Sequence, residues 1–184
     1  FYTEYAEKIN NKTLTKIQVR YHAMVKDSAP IKQAMQNKAW LTYGDNSTES
    51  ADSTTNTYTY GIPVFKHTGT GENKQALAGA EFELYTDAKC TEANALKFTK
   101  NDAGKYRYDE HGKVTLTSLN NGMIEIEGIK EGTYYLKETK APKGYNLLKD
   151  AIAITIDTNG KITINEGDVT QVDVQNNAGS LLPS

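Results

Sequence analysis

Strict alternation of apolar and polar residues, stopped and restarted by turn chemistry, constrains this chain more than any other feature. Ala80, Phe82 and Leu84 alternate with Glu81 and Glu83, Val114 and Leu116 with Thr115 and Thr117, and Ile124 and Ile126 with Glu125 and Glu127. Successive strand residues point to opposite faces, so each run describes a strand with one buried and one wet side. Ile152, Ile154 and Ile156 lead into Thr158-Asn159-Gly160, and Ile162 and Ile164 follow. Asn-Gly between two such runs predicts a tight hairpin whose two central residues both take positive φ. Strands recurring every 8–12 residues or so predict a sandwich or barrel, and the single apolar face of each favours a sandwich. Gly79, Gly104, Gly122 and Gly144 read as turn glycines.

Composition narrows the function. Lys and Arg total 21 against 23 Asp and Glu, a formal net charge of −2, which excludes binding of nucleic acid or anionic membrane by bulk charge. No apolar run approaches the roughly 18 residues of a membrane span. A single cysteine, Cys90, excludes an internal disulfide framework and a cysteine-based metal site. His22, His67 and His111 are dispersed, and neither a Gly-rich phosphate loop nor a GxSxG elbow is present. The expectation is a non-enzymatic β protein without metal or cofactor.

Residues 44–58, GDNSTESADSTTNTY, are rich in Ser, Thr, Asn and Asp and read as a linker or loop. Before them, Ile17, Val19, Tyr21, Ala23 and Val25 share one strand phase, and Ala39 to Tyr43 forms a second candidate strand. Ile31, Ala34 and Met35 have helical spacing, but the run after Pro30 is short. Two strands are too few for a stable unit, so residues 1–43 are expected to be the last part of a preceding β domain. Residues 59–178 are expected to be the sandwich and 179–184 a tail.

Three strands carry a polar residue on the apolar phase. Lys66 follows Ile62 and Val64, Glu138 follows Tyr134 and Leu136, and Asn176 follows Val172 and Val174. Each lies at the end of its alternating run, where strands commonly surface, so solvated ends, a turn asparagine and a buried Lys–Glu ion pair are all ordinary readings. The chemical reading is sharper. Burial lowers a lysine pKa and raises a glutamate pKa. A neutral amine is a nucleophile, and a protonated carboxyl can donate to the carbonyl of an asparagine amide. Amine attack and loss of ammonia would then leave a Lys–Asn isopeptide bond, formed once within the chain.

Motifs add what periodicity does not. LAGAEFELY, Leu77 to Tyr85, and YYLKETKAPKGY, Tyr134 to Tyr145, resemble the two hallmark stretches of CnaB-type domains. These are immunoglobulin-like β-sandwiches of Gram-positive surface proteins and sortase-assembled pilins. The second stretch resembles the family's E-box, with Glu138 at its glutamate. VFK resembles the first strand, with Lys66 at the reactive lysine, and VDVQN the last, with Asn176 at the bond-forming asparagine. Alternation favours Asn176 over the adjacent Asn177. The final Leu182-Pro183-Ser184 resembles the first three residues of an LPxTG sortase signal.

The resemblance implies an all-β chain: a CnaB-like immunoglobulin-fold sandwich preceded by part of a second β domain. It implies a backbone pilin of a covalent, cell-wall-anchored extracellular fibre, with sortase and other pilin subunits as partners and a host surface ligand as a further one. Catalysis would be limited to a single autocatalytic cross-link, Glu138 acting on Lys66 and Asn176. The other reading is the stalk of a cell-wall-anchored, ligand-binding adhesin. Residues 17–43 resemble the end of the preceding pilin domain, in which Asn37 or Asn46 could be the asparagine of a separate bond; neither is assigned that role, and a solvated loop role suits both better.

Overall fold

The computed structural model describes residues 11, 31–40, 42–43, 48–49 and 53–179. The strand expected over 17–25, Asn46 and the Leu-Pro-Ser tail lie outside them. Among the described residues four strands precede the sandwich: β1 (Met35–Ala39), β2 (Thr42–Tyr43), β3 (Thr48–Glu49) and β4 (Ser53–Thr57). β1 pairs antiparallel with β4, Met35 opposite Thr57 and Ala39 opposite Ser53, and β2 pairs with β3. The helical spacing at Ile31 to Met35 therefore forms no helix. The part of the expected loop at Ser53–Thr57 is a strand, because its β-branched threonines suit an extended backbone and ladder hydrogen bonds do not require a core.

The sandwich strands are β5 (Tyr60–Thr68), β6 (Gln75–Ala76), β7 (Glu81–Tyr85), β8 (Phe98–Lys100), β9 (Tyr106–Tyr108), β10 (Leu116–Thr117), β11 (Met123–Ile129), β12 (Gly132–Lys140), β13 (Ile152–Ile156), β14 (Ile162–Ile164), β15 (Gly167–Val169) and β16 (Val172–Gln175). One sheet runs β16-β5-β11-β9-β8, with β6 joined to the end of β5; the other runs β10-β7-β12-β13-β14-β15. The apolar phase of each alternating run enters one shared core. Ile62, Val64, Ile124, Ile126, Val172 and Val174 come from the first sheet, and Phe82, Leu84, Leu136, Ile154 and Ile156 from the second.

β5 and β16 are parallel neighbours, with Val174 opposite Lys66. The first and last long strands of the sandwich thus lie side by side, pointing the same way. β5 does not surface at Lys66: it continues to Thr68, with His67 opposite Ala76 on one side and Gln175 on the other. Lys66 is consequently an interior residue of its strand.

The Asn159-Gly160 hairpin joins β13 to β14 with a different turn from the one expected. Only Gly160 has positive φ, at 77°. Asp157 organises the loop: its Oδ1 accepts from the amides of Asn159 and Lys161, and its carbonyl accepts from Gly160 N–H. The tight turn with both central residues at positive φ is the next one, Asn165 (48°) and Glu166 (65°), between Ile164 and its partner Gly167.

Candidate functional site

The strand phases that carry Lys66, Glu138 and Asn176 all converge inside the sandwich, and the three side chains meet there. Their exposures are 0%, 2% and 1%, which excludes the solvated-end reading for each. Asn177, next in sequence, is exposed, so the register selects Asn176.

Each side chain is held by a backbone framework. Lys66 N–H donates to the Gly122 carbonyl at 2.7 Å and the Lys66 carbonyl accepts from Leu77 N–H at 2.9 Å, so the LAGA motif and the β10–β11 turn grip the lysine's own peptide groups. Gly122 is required at that approach: its φ is +76°, and a Cβ there would lie 2.4 Å from the Lys66 carbonyl oxygen. Glu138 sits in β12 opposite Phe82 of β7. Asn176 directly follows β16, its N–H donating to the His67 carbonyl at 2.9 Å.

Lys66 Nζ lies 3.3 Å from Glu138 Oε1 and donates to the Val174 carbonyl at 3.3 Å. Asn176 Nδ2 donates to Glu138 Oε2 at 2.9 Å and to the Asn146 carbonyl at 2.7 Å. Leu148 N–H also donates to Oε2, at 2.8 Å. The carboxyl therefore stands between the two nitrogens and presents a different oxygen to each. It contacts the amide nitrogen of Asn176, not the carbonyl that sequence reasoning assigned to it. Asn176 Oδ1 is buried without a hydrogen-bond partner.

The Phe82 ring lies 5.7 Å from Nζ and, with its apolar neighbours, keeps bulk water out. Burial pushes the Lys66 pKa below its ordinary value, against the upward pull of Glu138. A buried amine with a weakened hold on its proton, a carboxyl and an amide in contact constitute the parts of an acyl-transfer reaction between side chains.

Sequence reasoning missed the contributions of Asn146, Leu148 and Val174, because all three act through main-chain atoms that their side chains do not advertise. The other candidates lie elsewhere. Asn37 is exposed on β1, where its amide reaches Thr57 Oγ1 at 3.5 Å. Cys90 is half-buried with φ of 51°, and burial pushes its thiol pKa up, away from thiolate chemistry. Among the described residues no group of three or more His, Cys, Asp or Glu side chains is arranged to hold a metal ion, and no helix is long and apolar enough to cross a membrane.

Comparison with known proteins gives consistent results. The family model of the SpaA prealbumin-like fold domain matches residues 64–170, a stretch that contains Lys66 and Glu138 and stops before Asn176. A fimbrial subunit type 1 of Actinomyces viscosus is 30% identical in an alignment of 145 residues that covers 67% of this chain and 27% of the relative. The crystal structure of the group B streptococcus pilus 2b backbone protein is 30% identical with a TM-score of 0.54, covering 87% of this chain and 57% of that one. The 35 kDa C-terminal fragment of a Streptococcus agalactiae major pilin is 25% identical with a TM-score of 0.54, covering 81% and 56%. The major pilin subunit of Bacillus cereus is 28% identical with a TM-score of 0.52, covering 84% and 41%. The chain thus spans about a quarter of the fimbrial relative and roughly half of these pilin structures.

Proposed function

The chain belongs to the SpaA prealbumin-like fold domain family, and from that premise we propose that it is part of a backbone pilin of a Gram-positive surface fibre, locked by a Lys66–Asn176 isopeptide bond. The observation that carries the reading is the Glu138 carboxyl in a dry core, one oxygen on the lysine nitrogen and the other on the asparagine nitrogen.

The chemistry balances on these groups alone. Transfer of one proton from the Lys66 ammonium to Glu138 leaves a neutral amine. Nζ attacks Cγ of Asn176. The carboxyl passes the proton it holds to Nδ2 and takes the second Nζ proton on Oε1. The Cγ–Nδ2 bond breaks, ammonia leaves, and an Nζ–Cγ amide remains. The step occurs once per chain, so the protein turns over no external substrate.

The bond suits a fibre subunit under tension. β5 enters the sandwich and β16 leaves it, parallel and adjacent. Force entering along β5 would cross at Lys66 to Asn176 and leave along the chain, bypassing residues 67–175. Ladder hydrogen bonds, each contributing about 0.5–1.5 kcal/mol net, would not carry it. In this reading residues 1–43 belong to a preceding β domain, 44–58 connect (with β4 as an ordered part), 59–178 are the load-bearing sandwich and 179–184 the tail. Sortase would join the chain to neighbouring subunits on an extracellular, cell-wall-anchored fibre.

Intact mass under denaturing conditions tests the bond. The expected result is a deficit of one ammonia, abolished by Lys66→Ala or Asn176→Ala. A wild-type chain of full mass, with unmodified Lys66 and Asn176 in its peptides, refutes the assignment.

A further inference from the structure

The segment following β12 supplies the core with two main-chain groups whose hydrogen-bonding roles cannot be exchanged. The Asn146 carbonyl can only accept, and it takes an Asn176 Nδ2 proton at 2.7 Å. The Leu148 N–H can only donate, and it gives to Glu138 Oε2 at 2.8 Å. Side-chain amides and carboxyls, by contrast, are two-ended: an asparagine can turn its oxygen and nitrogen over, and a carboxylic acid can carry its proton on either oxygen.

These fixed groups sort both ambiguous ends. Turning the Asn176 amide over would set Oδ1 against the Asn146 carbonyl at acceptor–acceptor distance. The nitrogen is therefore held toward Glu138, leaving Oδ1 without a partner. Oε2 receives both Leu148 N–H and Nδ2–H, so its lone pairs are engaged by donors. Oε1 accepts no such hydrogen bond and faces Nζ at 3.3 Å. A proton passed from Nζ to the carboxyl therefore goes to Oε1, on the lysine side.

The segment is clamped to the residues just after the reacting asparagine. Asn146 N–H donates to the Asn177 carbonyl at 3.0 Å, Gly179 N–H donates to the Gly144 carbonyl at 2.8 Å, and Tyr145 bridges to Ala178. The acceptor for Nδ2 is thereby tied by main-chain hydrogen bonds to the chain bearing Asn176.

We propose that Asn146 and Leu148 are positioning residues of the cross-linking reaction, their main-chain carbonyl and amide presetting the amide rotamer of Asn176 and the proton-bearing oxygen of Glu138. This rests on the isopeptide reading above. The two groups ensure that the leaving nitrogen faces the carboxyl before the amine attacks, and that the oxygen facing the amine is the one free to exchange a proton with it.

The test replaces Leu148 by its α-hydroxy acid during cell-free synthesis, which turns the 147–148 peptide into an ester, deletes the donor and keeps the side chain. The ammonia deficit is followed over time by intact mass. The ester chain should cross-link about ten-fold more slowly, the rate equivalent of one charge-assisted hydrogen bond. The α-hydroxy acid at position 147, which weakens the Asn146 carbonyl as an acceptor, should slow it less. The same esters in a Lys66→Met background separate positioning from packing: their thermal unfolding should shift by too little to explain the slowing. A second readout is orientation. In Glu138→Gln, Leu148 N–H demands an oxygen, so the NH₂ of the introduced carboxamide should show nuclear Overhauser contacts to the Lys66 side chain and not to Leu148 N–H. A parent chain that never loses ammonia overturns the isopeptide reading and this inference with it. A parent that cross-links while the 148 ester keeps the parental rate, or an introduced carboxamide with its NH₂ against Leu148, overturns this inference alone.

Discussion

Glu138→Gln isolates the chemistry from the packing. The side chain keeps its shape and can still accept from Leu148 N–H, but an amide cannot pass protons between Nζ and Nδ2. The folded chain should retain full mass, with free Lys66 and Asn176. The stability change follows from the loop that the bond would close. By analogy with a disulfide, closing a loop of about 110 residues, Lys66 to Asn176, removes roughly 4–5 kcal/mol of unfolded-chain entropy. At about 3–6 °C per kcal/mol for a domain of this size, the variant should unfold about 15–25 °C below the wild type. Part of the loss has another source, because the buried Lys66 also forfeits its charge partner. Lys66→Met, which lacks both the bond and the buried cation, brackets that part: it should lie between Glu138→Gln and the wild type. The assay is intact mass together with thermal unfolding of the three chains. A full ammonia deficit in Glu138→Gln at the wild-type rate would show that the carboxyl transfers no proton. Loss of the deficit with no change in unfolding temperature would refute the idea that the bond staples the sandwich.

Asn176→Ala leaves Lys66 uncross-linked beside Glu138, and burial holds its pKa below the ordinary 10.5. Over the interval between the folded pKa and 10.5 the unfolded chain binds the extra proton, so the variant's denaturant stability should rise with pH up to about 10.5; a fall attributable to Lys66 would contradict the burial argument. The cross-linked wild type, whose Nζ is an amide, should lack this component. Gly122→Ala places a Cβ 2.4 Å from the Lys66 carbonyl at φ +76°; the combined strain and displacement should cost about 2–4 kcal/mol and slow cross-linking, and parental unfolding and mass kinetics would rule out the framework assigned to that turn. Glu166→Gly relieves a non-glycine residue at φ 65° on an exposed hairpin and should be neutral or stabilising by up to about 1 kcal/mol in thermal unfolding, with a clear loss contradicting the turn assignment.

What could be read from the sequence divides along a physical line. Period-2 alternation reports which face a residue occupies, so Lys66, Glu138 and Asn176 were legible as inward polar residues, and Asn176 separable from Asn177. Alternation does not report where a strand stops being covered. The end of the apolar run at Lys66 resembles a surfacing strand, yet β5 continues because parallel β16 and short β6 flank its last residues, and parallel pairing leaves no local mark. The turns divide similarly. Asn159-Gly160 carries the stronger hairpin signal, but Asp157, two residues earlier, supplies a competing set of side-chain acceptors and draws the loop into another geometry. Main-chain groups were the least legible. A carbonyl exists at every position and an N–H at every non-proline one, and the clamp between residues 144–146 and 177–179 brings the Asn146 carbonyl to the Asn176 amide and the Leu148 N–H to the buried carboxyl. The reactive side chains are thus encoded by identity and phase, whereas the groups that orient them are encoded by topology. A chain with the same three residues and a differently closed segment after β12 would carry the reagents without the geometry to use them.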